Sequence, residues 1–91
     1  MNFDVGIIGL GYVGLTLGTA LAKCGLKVVG VEKREDIVSL VNSGKAHFTE
    51  LGLEQIIKEQ ISSGNLIARN KFETSDHCKY FIITVGTPLG S

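Results

Sequence analysis

The stretch VGIIGLGYVGLTLG, residues 5–18, sets the tightest limit on how this chain can fold. An apolar run rich in β-branched residues, 5–8, stops at a glycine, and Gly9, Gly11 and Gly14 then follow in G-x-G-x-x-G spacing. Behind them Val13, Leu17, Ala20 and Leu21 recur at helical intervals until Gly25 supplies a left-handed stop. A buried strand therefore passes into a helix, 12–24, with almost no loop. Twelve glycines in a short chain can produce the triplet by chance, so its place between strand and helix carries the weight.

The remaining elements continue the alternation. Residues 27–31, KVVGV, have the unbroken β-branched character of a strand covered on both faces, and Glu32 ends them. Asp36 is placed to cap a short helix with Ile37, Leu40 and Val41 on one face, broken at Asn42, Ser43 and Gly44. After the irregular link GKAHFTELG, Leu53, Ile56, Ile57 and Ile61 form the apolar face of another helix, which SSGN ends. LIARN, 66–70, reads as a short strand and FETSDHCK as a turn or a single helical turn. YFIITV, 80–85, reads as a strand running into Gly86, Thr87 and Pro88. Strands alternating with helices specify an α/β fold with a parallel sheet and right-handed crossovers. In the Rossmann-like arrangement four such strands take the order 3-2-1-4, with the first strand in the middle.

Charge and composition narrow the partners. Nine basic and nine acidic side chains leave no net charge, so nothing draws the chain to nucleic acid or an anionic membrane. No apolar stretch approaches the roughly 20 residues of a membrane span, and MNFDVGII lacks a signal peptide's basic region and cleavage site. A cytoplasmic location is expected. With 91 residues the core is thin. Cys24 and Cys78 match no metal-ligand spacing and read as free thiols, and neither sits beside a histidine that sequence can assign as its base. No catalytic or metal-binding residue is assigned.

The glycine triplet has a chemistry. Gly9 permits the tight turn, Gly11 lets backbone approach a pyrophosphate without a Cβ between them, and Gly14 lets the helix pack closely on the sheet. The unpaired N–H groups of the first helical turn, around Tyr12 and Val13, then face the phosphates along the helix dipole. Glu32, 23 positions after Gly9, can accept hydrogen bonds from the adenosine ribose and repel a 2′-phosphate, which favours NAD over NADP. Lys33 and Arg34 beside it pull the other way. Gly18 reads as a packing contact, His47 as a surface histidine in a solvated link, and Glu50 as a cap or a structural hydrogen-bond partner.

GLGYVGL (9–15), LA (21–22), GLKVVGVE (25–32), LVNSGKAHFTELGLEQII (40–57) and VGTP (85–88) fall in one recognisable order and spacing. On these residues the sequence resembles the N-terminal NAD-binding domain of the UDP-glucose, GDP-mannose and UDP-N-acetylmannosamine dehydrogenases, along essentially its whole length. Enzymes of that family oxidise the C6 alcohol of a nucleotide sugar to a carboxylate in two hydride transfers. They reduce two NAD⁺, with an active-site cysteine carrying the thiohemiacetal and thioester between the transfers. The resemblance implies that Tyr12 and Val13 serve the pyrophosphate, Glu32 the adenosine ribose, and Thr87 the nicotinamide half.

Some positions depart from the family's pattern. Glu32 stands where Asp is usual. Ile37 stands where a lysine often reaches the ribose, leaving Lys33 or Arg34 as the nearest substitutes. E-P-G-L appears as Glu50, Leu51, Gly52 and Leu53. The family's catalytic cysteine and its sugar-nucleotide domain lie downstream of Ser91, so residues 1–91 are expected to be part of a truncated cofactor domain, inactive alone. The expected partners are NAD and, in the parent enzyme, a UDP-sugar. VGTPL leans toward N-acetyl-hexosamine members. Strand 80–85 offers a long apolar edge, so homo-oligomerisation is expected. Two alternatives share the loop: a stand-alone NAD(H)-binding regulatory module, and a hydroxyacid-type dehydrogenase, a group that tends to carry Met at Val13 and Arg at Glu32.

Overall fold

The structure, a computed structural model, describes residues 2–84. In chain order its elements are β1 (Asn2–Ile8), α1 (Tyr12–Lys23), β2 (Val28–Val31), α2 (Glu35–Asn42), α3 (Leu53–Ser63), β3 (Leu66–Arg69) and β4 (His77–Ile83). The four strands form one sheet in the order β3-β2-β1-β4, and every neighbouring pair is parallel. This is the doubly-wound order expected from the alternation of elements. Parallel neighbours cannot be joined by a tight hairpin, so the chain crosses over through α1 and then through α2 and α3. Steps from β1 to β2 and from β2 to β3 run the same way across the sheet. Right-handed crossovers therefore stack these helices on one face, where α1 packs against α3 and β2, and α2 against β3.

The core lies between that face and the helices. Ile7, Leu15, Val28, Val41, Ile57 and Leu66 are almost fully enclosed there. Each such aliphatic side chain contributes on the order of 1.5–3 kcal/mol. Gly18 lets α1 sit close to the sheet as expected, since a Cβ there would stand 3.0 Å from the Ile7 Cδ1. Each helix ends on a glycine at positive φ, Gly25, Gly44 and Gly64, and a Schellman pair of hydrogen bonds closes each last turn. After α1, for example, the Gly25 amide donates to the Ala22 carbonyl at 2.9 Å and the Leu26 amide to the Leu21 carbonyl at 3.3 Å. Among the described residues no helix is long and apolar enough to cross a membrane.

Three local expectations are corrected. The helix after β2 starts at Glu35 with Arg34 as its N-cap, and Asp36 does not cap it. The Asp36 carboxylate is instead gripped by the Arg34 guanidinium at 2.7 and 3.2 Å. The first strand begins at Asn2, and His77, Cys78 and Lys79 belong to β4 rather than to a turn. Asn2 pairs with His77 and Phe3 with Cys78 across the parallel ladder, so each extension exists only because the other strand is there. Both cysteines are free, as their spacing suggests, and Cys24 is exposed at the end of α1. Along β4 the large side chains Tyr80, Phe81 and Ile83 are also exposed, at 70, 56 and 67%.

Candidate functional site

The carboxyl ends of β1 and β2 and the start of α1 meet at the glycine turn. Gly9 has φ +98°, open to few residues but glycine, and its amide still donates to the Val31 carbonyl at 2.8 Å. A Cβ at Gly14 would fall 1.9 Å from the Gly9 oxygen and 2.4 Å from the Thr84 Oγ1. The first turn of α1 thus rests directly on the turn that precedes it. Gly11 differs: its backbone is extended, and among the described residues a Cβ there would meet nothing within 4 Å. One glycine turns the chain, one lets backbones touch, and one leaves open space.

That open space lies at the start of an uncapped helix. Among the described residues α1 has no side-chain cap, its first turn carries no acidic residue, and Tyr12 and Val13 are exposed. Its first intrahelical bond runs from the Leu15 amide to the Gly11 carbonyl at 2.9 Å, so the amides before it have no partner within the helix. An anion fits such a position. The residues present therefore suit a diphosphate on an observation independent of the sequence pattern, the bare approach at Gly11.

Glu32 follows β2 and turns back to the loop. Its Oε1 accepts the Leu10 amide and its Oε2 the Arg34 amide, each at 3.0 Å. Each carboxylate oxygen keeps acceptor capacity for a further donor. Beside it a cleft of about 520 Å³ is lined by Ile8, Gly9, Val31, Glu32, Lys33, Asn70, Lys71 and Phe72. This volume lies within the common range for ligand clefts. Arg34 is not among these lining residues, and its fork hydrogen-bonds to Asp36. That hydrogen bond holds the Asp36 carboxyl below the ordinary carboxylate value and raises the Arg34 guanidinium further. Ile37, at the position where the family often has lysine, is buried in the core.

The link 45–52 is largely exposed, as its composition suggests, and still makes contacts to the glycine turn. His47 is exposed, yet its Nε2 lies 2.7 Å from the Leu10 carbonyl oxygen. Tyr12 donates through its hydroxyl to the Glu50 Oε2 at 3.1 Å, and its ring packs on Phe48 at 5.0 Å. Glu50 is therefore the hydrogen-bond partner expected of it, and its carboxylate raises the Tyr12 phenol above its usual value of 10.0. Leu10 was invisible as a site residue, although it is 1% exposed and held at both its amide and its carbonyl. A signal existed in the glycine of KVVGV, since a Cβ at Gly30 would stand 2.5 Å from the Leu10 Cδ2. Thr84 was also missed. Its hydroxyl donates to the Gly9 carbonyl at 2.7 Å and ties the end of β4 to the turn. Gly9, Gly11, Tyr12, Val13, Gly14 and Glu32 are thus gathered in one region, whereas Thr87 lies outside the described residues.

A parallel sheet whose central strand passes through a glycine turn into an uncapped helix, with a carboxylate after the adjacent strand, defines a dinucleotide-binding domain. The family model described as the UDP-glucose/GDP-mannose dehydrogenase family, NAD binding domain, matches residues 3–91, and the chain belongs to this family. Its cofactor is NAD. The UDP-N-acetyl-D-mannosamine dehydrogenase of Pyrococcus horikoshii is 36% identical over 85 residues, which are 93% of this chain and 20% of that protein. The solved structure of the UDP-D-ManNAc dehydrogenase from the same organism superposes with a TM-score of 0.87 at 35% identity, covering 97% of this chain and 21% of that one. A ternary complex of GDP-mannose dehydrogenase from Pseudomonas aeruginosa gives a TM-score of 0.84 at 34% identity over 93% of this chain and 20% of that one. The chain spans about a fifth of the length of these relatives.

Proposed function

We propose that this chain is the NAD-binding part of a nucleotide-sugar 6-dehydrogenase that oxidises the C6 alcohol of a UDP-sugar to a uronic acid for polysaccharide synthesis. The observation that carries the reading is the bare helix start at Gly11 beside a cleft that holds the Glu32 carboxylate. When bound, NAD⁺ supplies the hydride acceptor. Gly9 and Gly14 shape the turn, the amides of Gly11, Tyr12 and Val13 hold the diphosphate, Glu32 receives the adenosine ribose hydroxyls, and Thr87 adjoins the nicotinamide. The groups that bind and oxidise the sugar come from other parts of the protein, and neither Cys24 nor Cys78 is its nucleophile. Relatives named as UDP-N-acetyl-D-mannosamine dehydrogenases and the VGTPL stretch favour an N-acetylated UDP-hexosamine. The protein works in the cytoplasm as a homo-oligomer.

Calorimetric titration of NAD⁺ and NADP⁺ into the chain, with Glu32→Ala alongside, tests this reading. NAD⁺ binding the wild type more tightly than NADP⁺, with the preference lost in Glu32→Ala, is the expected result. Equal affinity for both cofactors in the wild type, or none for either, rejects it.

A further inference from the structure

The peptide between Leu10 and Gly11 sits at the entrance to α1, where Gly11 is the N-cap. Turning that peptide over changes ψ of residue 10 and φ of residue 11, and glycine accepts φ of either sign. Among the described residues a Cβ at Gly11 would meet nothing within 4 Å, so no side chain crowds this position. The consequence of a flip is electrostatic. A trans peptide is planar with its C=O and N–H antiparallel, so reversal puts the Leu10 carbonyl oxygen where the Gly11 N–H had been. A site that presents an amide to an anion would present an oxygen instead.

One side chain restrains that plane directly. The His47 Nε2 lies 2.7 Å from the Leu10 oxygen, and because a carbonyl only accepts, the imidazole donates through Nε2–H. The preceding plane is held separately, by the Leu10 amide on the Glu32 Oε1 at 3.0 Å. His47 is itself held by its own segment. Its ring meets Phe48 edge-on at 4.9 Å, Phe48 packs on Tyr12, and Tyr12 is bonded to Glu50. Behind these contacts the Ala46 amide donates to the Glu54 Oε2 at 3.0 Å.

We propose that His47 is a positioning residue for the dinucleotide, holding the Leu10–Gly11 peptide with its carbonyl toward the link and the Gly11 N–H turned away from it, toward the diphosphate. The inference rests on the reading of the glycine turn as the NAD diphosphate site. His47 touches no cofactor atom in this role. It acts by keeping one of two peptide orientations populated, so the free chain is already arranged for binding and less affinity is lost to ordering the loop.

The test compares wild type, His47→Phe, His47→Ala and His47→Gln in the full chain. His47→Phe keeps a ring against Phe48 but removes the donor, and the side-chain amide of His47→Gln restores one. Three quantities are read: the NAD⁺ Kd by calorimetry, the amide resonance of Gly11 in the ligand-free chain by NMR, and the melting temperature. Loss of one solvent-edge hydrogen bond corresponds to about a three- to tenfold rise in Kd. That rise is expected in His47→Phe and His47→Ala, together with a displaced Gly11 resonance and little change in melting. His47→Gln should return both binding and resonance toward wild type. His47→Phe binding NAD⁺ as wild type does, with Gly11 in place, overturns the inference and leaves the cofactor reading intact. A wild type that binds no NAD⁺ overturns the cofactor reading, and the positioning role with it.

Discussion

Alanine at Gly14 and alanine at Gly11 differ by one methyl group each from the same chain, yet the structure assigns them opposite consequences. At position 14 the new Cβ lies 1.9 Å from the Gly9 oxygen, which must retreat by roughly 1 Å to reach even the closest approach side chains make. The oxygen is not free to do so, because it accepts the Thr84 hydroxyl at 2.7 Å. Overpacking of this kind costs about 1–3 kcal/mol, and losing the Thr84 bond adds about 1 kcal/mol. A domain of this length has on the order of 5–14 kcal/mol in total. With about 4–8 °C lost per kcal/mol, Gly14→Ala should melt on the order of 10–25 °C below wild type. At position 11 the methyl meets none of the described residues and stands on an extended backbone. The fold should be unchanged within about 0.5 kcal/mol, and restricting the unfolded chain tends to stabilise. The same methyl stands on the proposed path of the diphosphate, so Gly11→Ala should lose NAD⁺ affinity while melting like wild type. Circular dichroism melts paired with calorimetry separate the two effects. A Gly14→Ala protein melting within 2–3 °C of wild type, or a Gly11→Ala protein melting as low as Gly14→Ala, would refute the steric reasoning (~0.5 kcal/mol resolution).

Other perturbations follow from the charged groups and the exposed edge. The side chain of Asp76 is nearly enclosed, at 3% exposure, against Arg69. The Arg69 hydrogen bond, and after it the Glu73 amide, hold its carboxyl below the ordinary 3.8. Its contribution is therefore present above pH 3.8 and lost as pH falls through the depressed value. Asp76→Asn should be less stable than wild type at pH 6, and denaturant midpoints should converge in strong acid; a constant difference would contradict this. Because Arg34 is committed to Asp36, Arg34→Ala should leave the preference for NAD⁺ over NADP⁺ unaltered in parallel titrations. Self-association through Tyr80, Phe81 and Ile83 is expected near 100 μM (~10⁻⁴ M), a weak-affinity regime. Sedimentation should show it, Phe81→Lys should reduce it, and a clean wild-type monomer would count against it.

The sheet order was legible because each crossover is local. A β-branched run, a helical period and a glycine stop lie within some 20–30 residues of one another, and the handedness of the crossover does the rest. The ends of β1 and β4 were not legible, since Asn2 and Phe3 become strand only by pairing with His77 and Cys78, 75 positions away. Asp36 misled for a related reason. A carboxylate near a helix start serves equally as a cap or as a partner for a neighbouring guanidinium, and Arg34 two residues back captured it.

By itself the sequence determined where the backbone is bare enough for the proposed phosphate approach: glycine spacing sets backbone freedom, and backbone freedom is a local property. It also placed Glu32 at the end of the second strand. Only the tertiary structure decided what holds that approach in shape. Glu32 braces the Leu10 amide, His47 reaches the Leu10 carbonyl from 37 residues away, and Thr84 reaches the Gly9 carbonyl from 75. These are hydrogen bonds to main-chain groups, which every residue carries. No pattern of side chains announces which carbonyl a distant histidine or threonine will find, so the partners become specific only once the sheet has brought the segments together.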